Sequence, residues 1–253
     1  MPAVTLRPET DADLPFLRAL YASTREAEMR LSGWPPAQQA AFLRGQFEAQ
    51  RAQYRQSMPD ARFDIVEIDG APAGRLYVDE RPDDVRLVDI ALLPEYRDQG
   101  IGRSLIEVLI EQAGDRPVTF HVFFGSPAIR LYYRLGFTFR HVDGAYLLLE
   151  RLPQAQPPLP LTHTDFEPHL HTPFTMPVPG GDLTLTLTSV TVLPDQGAGD
   201  ERTPFSLIFA GPKKPLIPQA TYLLQHEAMD DIAIFIVPIA SSETSIEYEA
   251  VFN

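Results

Sequence analysis

The 253-residue chain contains no cysteine. That absence excludes disulfides, zinc–thiolate sites and thiol catalysis together. Long apolar runs are missing too. No stretch approaches the ~20 apolar residues that a helical membrane span requires, and the opening MPAVTLRPET lacks the basic-then-apolar pattern of a secretory signal. A cytoplasmic protein with no membrane partner and no metal is the expectation. Positive charge is scarce: Lys+Arg number 21 against Asp+Glu 34, for a formal net charge of -13. Such a balance argues against nucleic acid as a partner, since a basic face is what phosphates require. A fixed-period repeat is also lacking. With 44% hydrophobic residues the chain can fill a core, and at about 100–200 residues per domain it forms one large domain or two ordinary ones.

The segment PQAQPPLP, residues 153–160, holds four prolines in eight positions, which forbids helix or central strand and favours an extended spacer. Composition shifts across it. Residues 1–152 carry 18 basic and 22 acidic groups, net -4, and residues 153–253 carry 3 and 12, net -9. Two domains are therefore expected, 1–152 and 161–253, joined by a short stiff linker; the alternative is a proline-rich loop within one domain.

The first part reads as α/β. Asp11 is placed to cap a helix with Leu14, Leu17 and Tyr21 on one face, and Leu43, Phe47 and Tyr54 repeat at helical spacing after Pro35-Pro36. Strands are expected at 63–68 and 74–78, joined by an Asp69-Gly70 hairpin turn, then at 86–93, 118–124 and 145–150. Helices are expected at 103–113, stopped by Gly114, and at 127–135. The second part reads as all-β, a small barrel or sandwich. Leu183, Leu185 and Leu187 alternate with threonines, and the apolar parity shifts at Ser189, which predicts a bulge or bend there.

The most informative stretch runs from Asp89 to Arg103, DIALLPEYRDQGIGR. An apolar strand ends at Pro94, a short loop carries two glycines, and an amphipathic helix starts at once. The helix start leaves backbone N–H groups unpartnered at the positive end of the dipole. Gly100 and Gly102 let a diphosphate approach the backbone, and Arg97 and Arg103 can add charge-assisted bonds. A tight strand-to-helix turn without a ligand would read the same way. The Gly-Lys-Ser/Thr ending of a Walker loop and the third glycine of a dinucleotide fingerprint are both absent.

Arg97-x-x-Gly100-x-Gly102 resembles the pyrophosphate loop of the acyl-coenzyme A N-acyltransferases, the Gcn5-related superfamily. A second match follows at that superfamily's spacing, from Ala128 through Tyr132 and Tyr133 to Gly136-Phe137, and the order of elements over residues 3–152 agrees. The resemblance implies a mixed, splayed sheet flanked by helices. It also implies acetyl-coenzyme A as co-substrate and an amine, on a small molecule or a protein, as acceptor. Backbone groups near Leu92 and Leu93 would bind the pantetheine arm. The loop Arg97, Asp98, Gln99, Gly100, Ile101, Gly102 and Arg103 would bind the pyrophosphate. Tyr132 would protonate the leaving thiolate, although a plain core aromatic fits that position and Tyr133 is adjacent. Ser126 stands where the family usually has Asn, and can still cap the helix. The attacking amine must lose a proton. Asp89 matches the position of a carboxylate in many relatives, alone or through water, while a polar residue on the solvent side of the strand is the alternative. His121, in an apolar run, reads as a satisfied, partly buried histidine.

The second part resembles a family of short bacterial domains of unknown function, through Phe166, Phe174, Thr203–Pro212, Phe235–Pro238 and Tyr248–Asn253. No chemistry follows from that match. His163, His169 and His171 read as exposed histidines of a connecting segment rather than a metal site. The expectation is a recognition domain without catalytic groups, whose acidic surface and alternating strand suit a protein partner or a second copy of the chain. The competing reading of the whole chain is an acyl-coenzyme A sensor or assembly protein without turnover.

Overall fold

A computed structural model describes residues 3–194 and 203–252. Met1, Pro2 and Asn253, the last residue of the C-terminal motif, lie outside the described residues. The chain divides into two compact units, Met1–Phe120 and His121–Asn253.

In the first unit β1 (Val4–Pro8) leads to α1 (Leu14–Thr24), α2 (Glu26–Ser32) and α3 (Pro36–Ser57). The cap expected at Asp11 lies one residue earlier. Thr10 forms a capping box with Asp13, whose carboxylate accepts the Thr10 N–H at 2.8 Å, and Asp11 sits inside a 3-10 turn. β2 (Arg62–Ile68) and β3 (Ala71–Glu80) form the expected hairpin. Asp69 and Gly70 take φ of 50° and 81°, the left-handed pair that a two-residue turn requires. β4 (Val85–Leu92), α4 (Ile101–Ala113) and β5 (Val118–Phe123) follow. The strands run in the order β1-β2-β3-β4-β5, antiparallel except for β4 beside β5. Leu17, Leu20 and Tyr21 of α1, Phe47 of α3 and Ile65 of β2 form one buried cluster, so the apolar spacing of both helices is spent on one face of the sheet. Leu105, Ile106 and Leu109 of α4 are also buried.

In the second unit β5 is followed by α5 (Ile129–Arg134), β6 (Thr138–Asp143) and β7 (Tyr146–Arg151), hydrogen-bonded in the order β5-β7-β6. Residues 153–160 have no helix or strand, yet the segment is fastened: Arg151 donates to the carbonyls of Leu135 and Ala155 at 2.8 and 2.7 Å. After α6 (His163–Phe166) come β8 (Pro173–Met176), β9 (Leu183–Val192), β10 (Phe205–Pro212), β11 (Ala220–His226), β12 (Met229–Ser241) and β13 (Ser245–Phe252). These six close into an antiparallel barrel, β10-β13-β12-β11-β8-β9. Ile208 pairs with Ser189 but Phe209 with Leu187, so Thr188 is the extra residue of a bulge, where the parity shift predicts one. The barrel is filled by Leu185, Leu187, Phe174, Phe209 and Tyr248, all essentially without exposure. At ~1.5–3 kcal/mol for each fully buried large apolar side chain, they are its principal stabilising term. Among the described residues no helix is long and apolar enough to cross a membrane.

Candidate functional site

β4 lies between β3 and β5 and ends at Leu92. Against β3 the register is continuous from Tyr77↔Asp89 to Gly74↔Leu92, whereas the parallel pairing with β5 covers only Val85–Leu87 against Val118–Phe120. The Leu93 N–H donates to the Ala73 carbonyl at 2.9 Å. Because backbone groups alternate sides along a strand, the N–H and C=O of Leu92 turn the other way, to the edge where pairing with β5 has ended. Leu93 is spent within the fold on both sides, since its carbonyl also accepts the Tyr96 N–H at 3.0 Å. Of the two expected pantetheine contacts, Leu92 is the one that faces the open edge. Gly74 permits this arrangement. A Cβ there would lie 2.3 Å from the Ala91 carbonyl oxygen, so no other residue lets β3 come this close to β4. An isolated glycine in a strand pattern was the available signal.

The loop then turns sharply. Asp98 and Gly100 have φ of 58° and 79°, and Gly100 is the N-cap of α4, with no side chain to bond the helix end. The first helical bond runs from Ser104 N–H to the Gly100 carbonyl at 3.0 Å; the N–H groups of Ile101, Gly102 and Arg103 precede any i−4 acceptor. A Cβ at Gly100 would meet nothing within 4 Å, and one at Gly102 only Leu92 Cδ1 at 4.0 Å. The result is an open backbone surface rimmed by N–H donors at the positive end of a 13-residue helix, suited to phosphate oxygens. Both arginines have partners within the protein. Arg97 donates through Nε to the Leu92 carbonyl and through Nη2 to Ser23 Oγ, both at 2.8 Å. Arg103 Nε pairs with Glu107 at 2.9 Å on the exposed face of α4. Gln99 bonds the Glu95 carbonyl.

Asp89 belongs to a polar network between α3 and the sheet. Arg75 donates to Oδ1 at 3.2 Å and to Oδ2 at 2.7 Å, Tyr54 donates to Oδ2 at 3.1 Å, and Gln50 accepts from Arg75 at 3.0 Å. The Arg75 and Asp89 side chains are 5% and 13% exposed. Burial works against the Arg75 charge, and Asp89, Tyr77 and Tyr54 more than offset it, so its pKa lies above the ordinary value. Next to it Tyr77 donates to Glu9 at 2.5 Å, and Arg55 pairs with the same carboxylate, which is 1% exposed. Burial, first, drives the Tyr77 phenol well above the usual tyrosine range. Sequence reasoning names only Asp89 and Tyr54 from this set. The i,i+4 pair Gln50/Tyr54 and the charged Arg75 inside a buried strand were the signals for the rest.

The second unit holds the other expected residues. Ser126 precedes α5, and its Oγ accepts the Ala128 N–H at 3.3 Å in a local turn; the N-cap of α5 is Ala128, without a side-chain bond, so the expected serine cap is not formed. Tyr132 is 6% exposed, with its ring 5.8 Å from Phe137. Tyr133, also on α5, has its phenol pushed up to about 12 by burial and then by Asp230 and Asp231. His121 pairs with Asp143 at 3.3 Å, in keeping with a satisfied histidine. The cluster of three histidines is not a uniformly exposed connector. His163 opens α6 with its ring 6.3 Å from Phe205, His169 lies 4.4 Å from the His226 ring, and only His171 is fully exposed.

Residues 21–137 match the model of the Acetyltransferase (GNAT) family, and residues 161–252 match a domain of unknown function, DUF6916. Among solved structures the chain is similar to the PaiA N-acetyltransferase from Thermoplasma acidophilum in complex with coenzyme A, at 19% identity over 59% of this chain and 99% of that one, with a TM-score of 0.46. It is similar to an acetyltransferase from Thermus thermophilus at 18% identity, 58% and 95% coverage, TM-score 0.43. The ribosomal-protein-S18-alanine N-acetyltransferase from Escherichia coli gives 22% identity, 63% and 100% coverage, TM-score 0.39. No curated protein matches the chain.

Proposed function

We propose, from a chain whose residues 21–137 are a GNAT acetyltransferase domain and whose residues 161–252 are a DUF6916 domain, that it transfers an acetyl or other acyl group from its coenzyme A thioester directly to an amine. The observation that carries this reading is the side-chain-free start of α4, joined by a short loop to a strand whose last amide faces an unpaired edge. Ile101, Gly102 and Arg103 N–H groups bind the pyrophosphate, with Gly100 and Gly102 leaving room for it. The Leu92 N–H binds the thioester oxygen and stabilises the negative charge that develops there as the amine attacks. No covalent enzyme intermediate is needed.

Tyr132 donates its phenolic proton to the departing sulfur. Tyr132 is assigned over its neighbour by its place in the Ala128–Phe137 motif. The amine sheds its proton to water. Asp89 is the anchor of Arg75 and Tyr54 in this scheme, with three of its lone pairs taken by those donors. The same engagement of Asp89 favours, as the second reading, a coenzyme A-binding sensor without turnover.

Acyl transfer measured over a panel of amines separates the two. With turnover in hand, Tyr132→Phe is expected to lower kcat ~10²–10⁴-fold at near-normal coenzyme A affinity, and Tyr133→Phe is not. The reverse pattern would move the acid by one residue; no loss in either would remove tyrosine from the mechanism.

A further inference from the structure

The barrel and the segment around α5 lie in one compact unit, and they meet at three places. On the way into α5, the Phe124 ring lies 5.1 Å from Tyr222 of β11. Gly125, at φ 77°, lies beside β11, where a Cβ on it would be in van der Waals contact with the Ala220 Cβ at 3.5 Å. On the way out, the Phe139 N–H donates to Asp231 of β12 at 3.1 Å, and the other oxygen of Asp231 accepts from Gln225 at 3.0 Å. On the helix itself, α5 packs against β11 and β12, and the half-buried Tyr133 phenol feels the charges of Asp230 and Asp231.

We propose that the barrel is a positioning element of the acyltransferase: β11 and β12 form the platform that sets the place of α5 and so of Tyr132. The inference rests on the role of Tyr132 given above. Its physical basis is the shortness of α5, six residues, far below the ~12–15 at which a helix holds itself in water. Its place is therefore set by what it packs on. A general acid must come within hydrogen-bond reach of the group it protonates, and an error of about 1 Å in such placement costs ~10²-fold in rate. Asp231 is the specific link. It fixes the strand leaving α5 through a backbone amide, and Gln225 holds its carboxylate in place. The DUF6916 domain thereby acquires a function without contributing a reacting group.

The test uses the full chain in three forms, Asp231→Ala, Asp231→Asn and Ala220→Leu, the last a wedge against Gly125. Turnover, coenzyme A affinity by calorimetry, and amide hydrogen exchange over residues 129–139 are measured for each. Loss of one hydrogen bond, at ~1.4 kcal/mol per decade of rate, predicts an approximately tenfold lower kcat and faster exchange in Asp231→Ala, with coenzyme A affinity unchanged. Asp231→Asn keeps an acceptor oxygen and restores most of kcat. Ala220→Leu loosens the other side of α5 and lowers kcat further. Undiminished kcat in variants whose α5 amides exchange faster overturns the inference, as does exchange that no variant changes. A wild-type protein that neither binds coenzyme A nor transfers an acyl group overturns instead the reading on which it rests.

Discussion

Arg97 Nε donates to the carbonyl oxygen of Leu92 at 2.8 Å, closing the loop back onto the strand it leaves, while its Nη2 reaches Ser23 on α1. The arginine of the glycine motif is thus a clasp between β4, the loop and α1. In Arg97→Ala the Leu92 peptide loses its outer support, and the fall in kcat/KM, ~10-fold or more for a charged hydrogen bond, is expected with acetyl-coenzyme A and with S-acetyl-pantetheine alike. A loss confined to acetyl-coenzyme A, the only one of the two carrying a pyrophosphate, would return Arg97 to the role of phosphate ligand. Ser23→Ala should reproduce a smaller share of the same defect.

Asp89 and Arg75 form a nearly buried pair. Removing one member of such a pair leaves the other charge uncompensated, at a cost of roughly 3–5 kcal/mol. Asp89→Asn is therefore expected to lower the melting temperature markedly while the folded fraction keeps the pH–rate profile of the wild type. If Asp89 is the base, the acidic limb of kcat/KM disappears instead, with a ~10²–10⁴-fold loss of rate.

The start of α1 carries a pH dependence. Arg7, first, and then the Thr10 backbone and hydroxyl bonds hold the Asp13 carboxyl well below the usual range, against the opposing effect of burial. Its folded pKa is depressed, so its contribution is complete above the unfolded value of about 3.9 and is lost as pH falls through the lower folded value. Asp13→Asn should cost about 1 kcal/mol, as lost caps do, at neutral pH. The gap to wild type should narrow progressively below about pH 4 in thermal melts. A gap that stays constant down to pH 2 would show that the bond to Arg7 carries no charge-dependent stability.

Local chemistry made much of this legible in the sequence. Asp69-Gly70 demands left-handed φ at two successive residues, and only a hairpin uses that. The parity change at Ser189 marked the bulge because a strand has a strict period of two. Gly100-x-Gly102 before an amphipathic run placed the helix start. Long-range polar pairing was less accessible. Nothing near Arg97 in the chain indicates Ser23 as a partner 74 residues away, and Glu9, Arg55 and Tyr77 come together only once β1, α3 and β3 are stacked. Short elements were also missed. β1 and β8 have five and four residues, and both exist because a neighbouring strand supplies their hydrogen bonds.

Coenzyme A titrated calorimetrically into wild type and Gly102→Val tests the central claim most directly. A Cβ at this position would meet only Leu92 Cδ1, at 4.0 Å, so the helix start has room for a side chain to begin. Wild type should bind, and Gly102→Val should bind at least ~10-fold more weakly, because its side chain bars the pyrophosphate from the Ile101, Gly102 and Arg103 N–H groups. Equal affinity in the two proteins, or no binding to either, would contradict a coenzyme site at this loop.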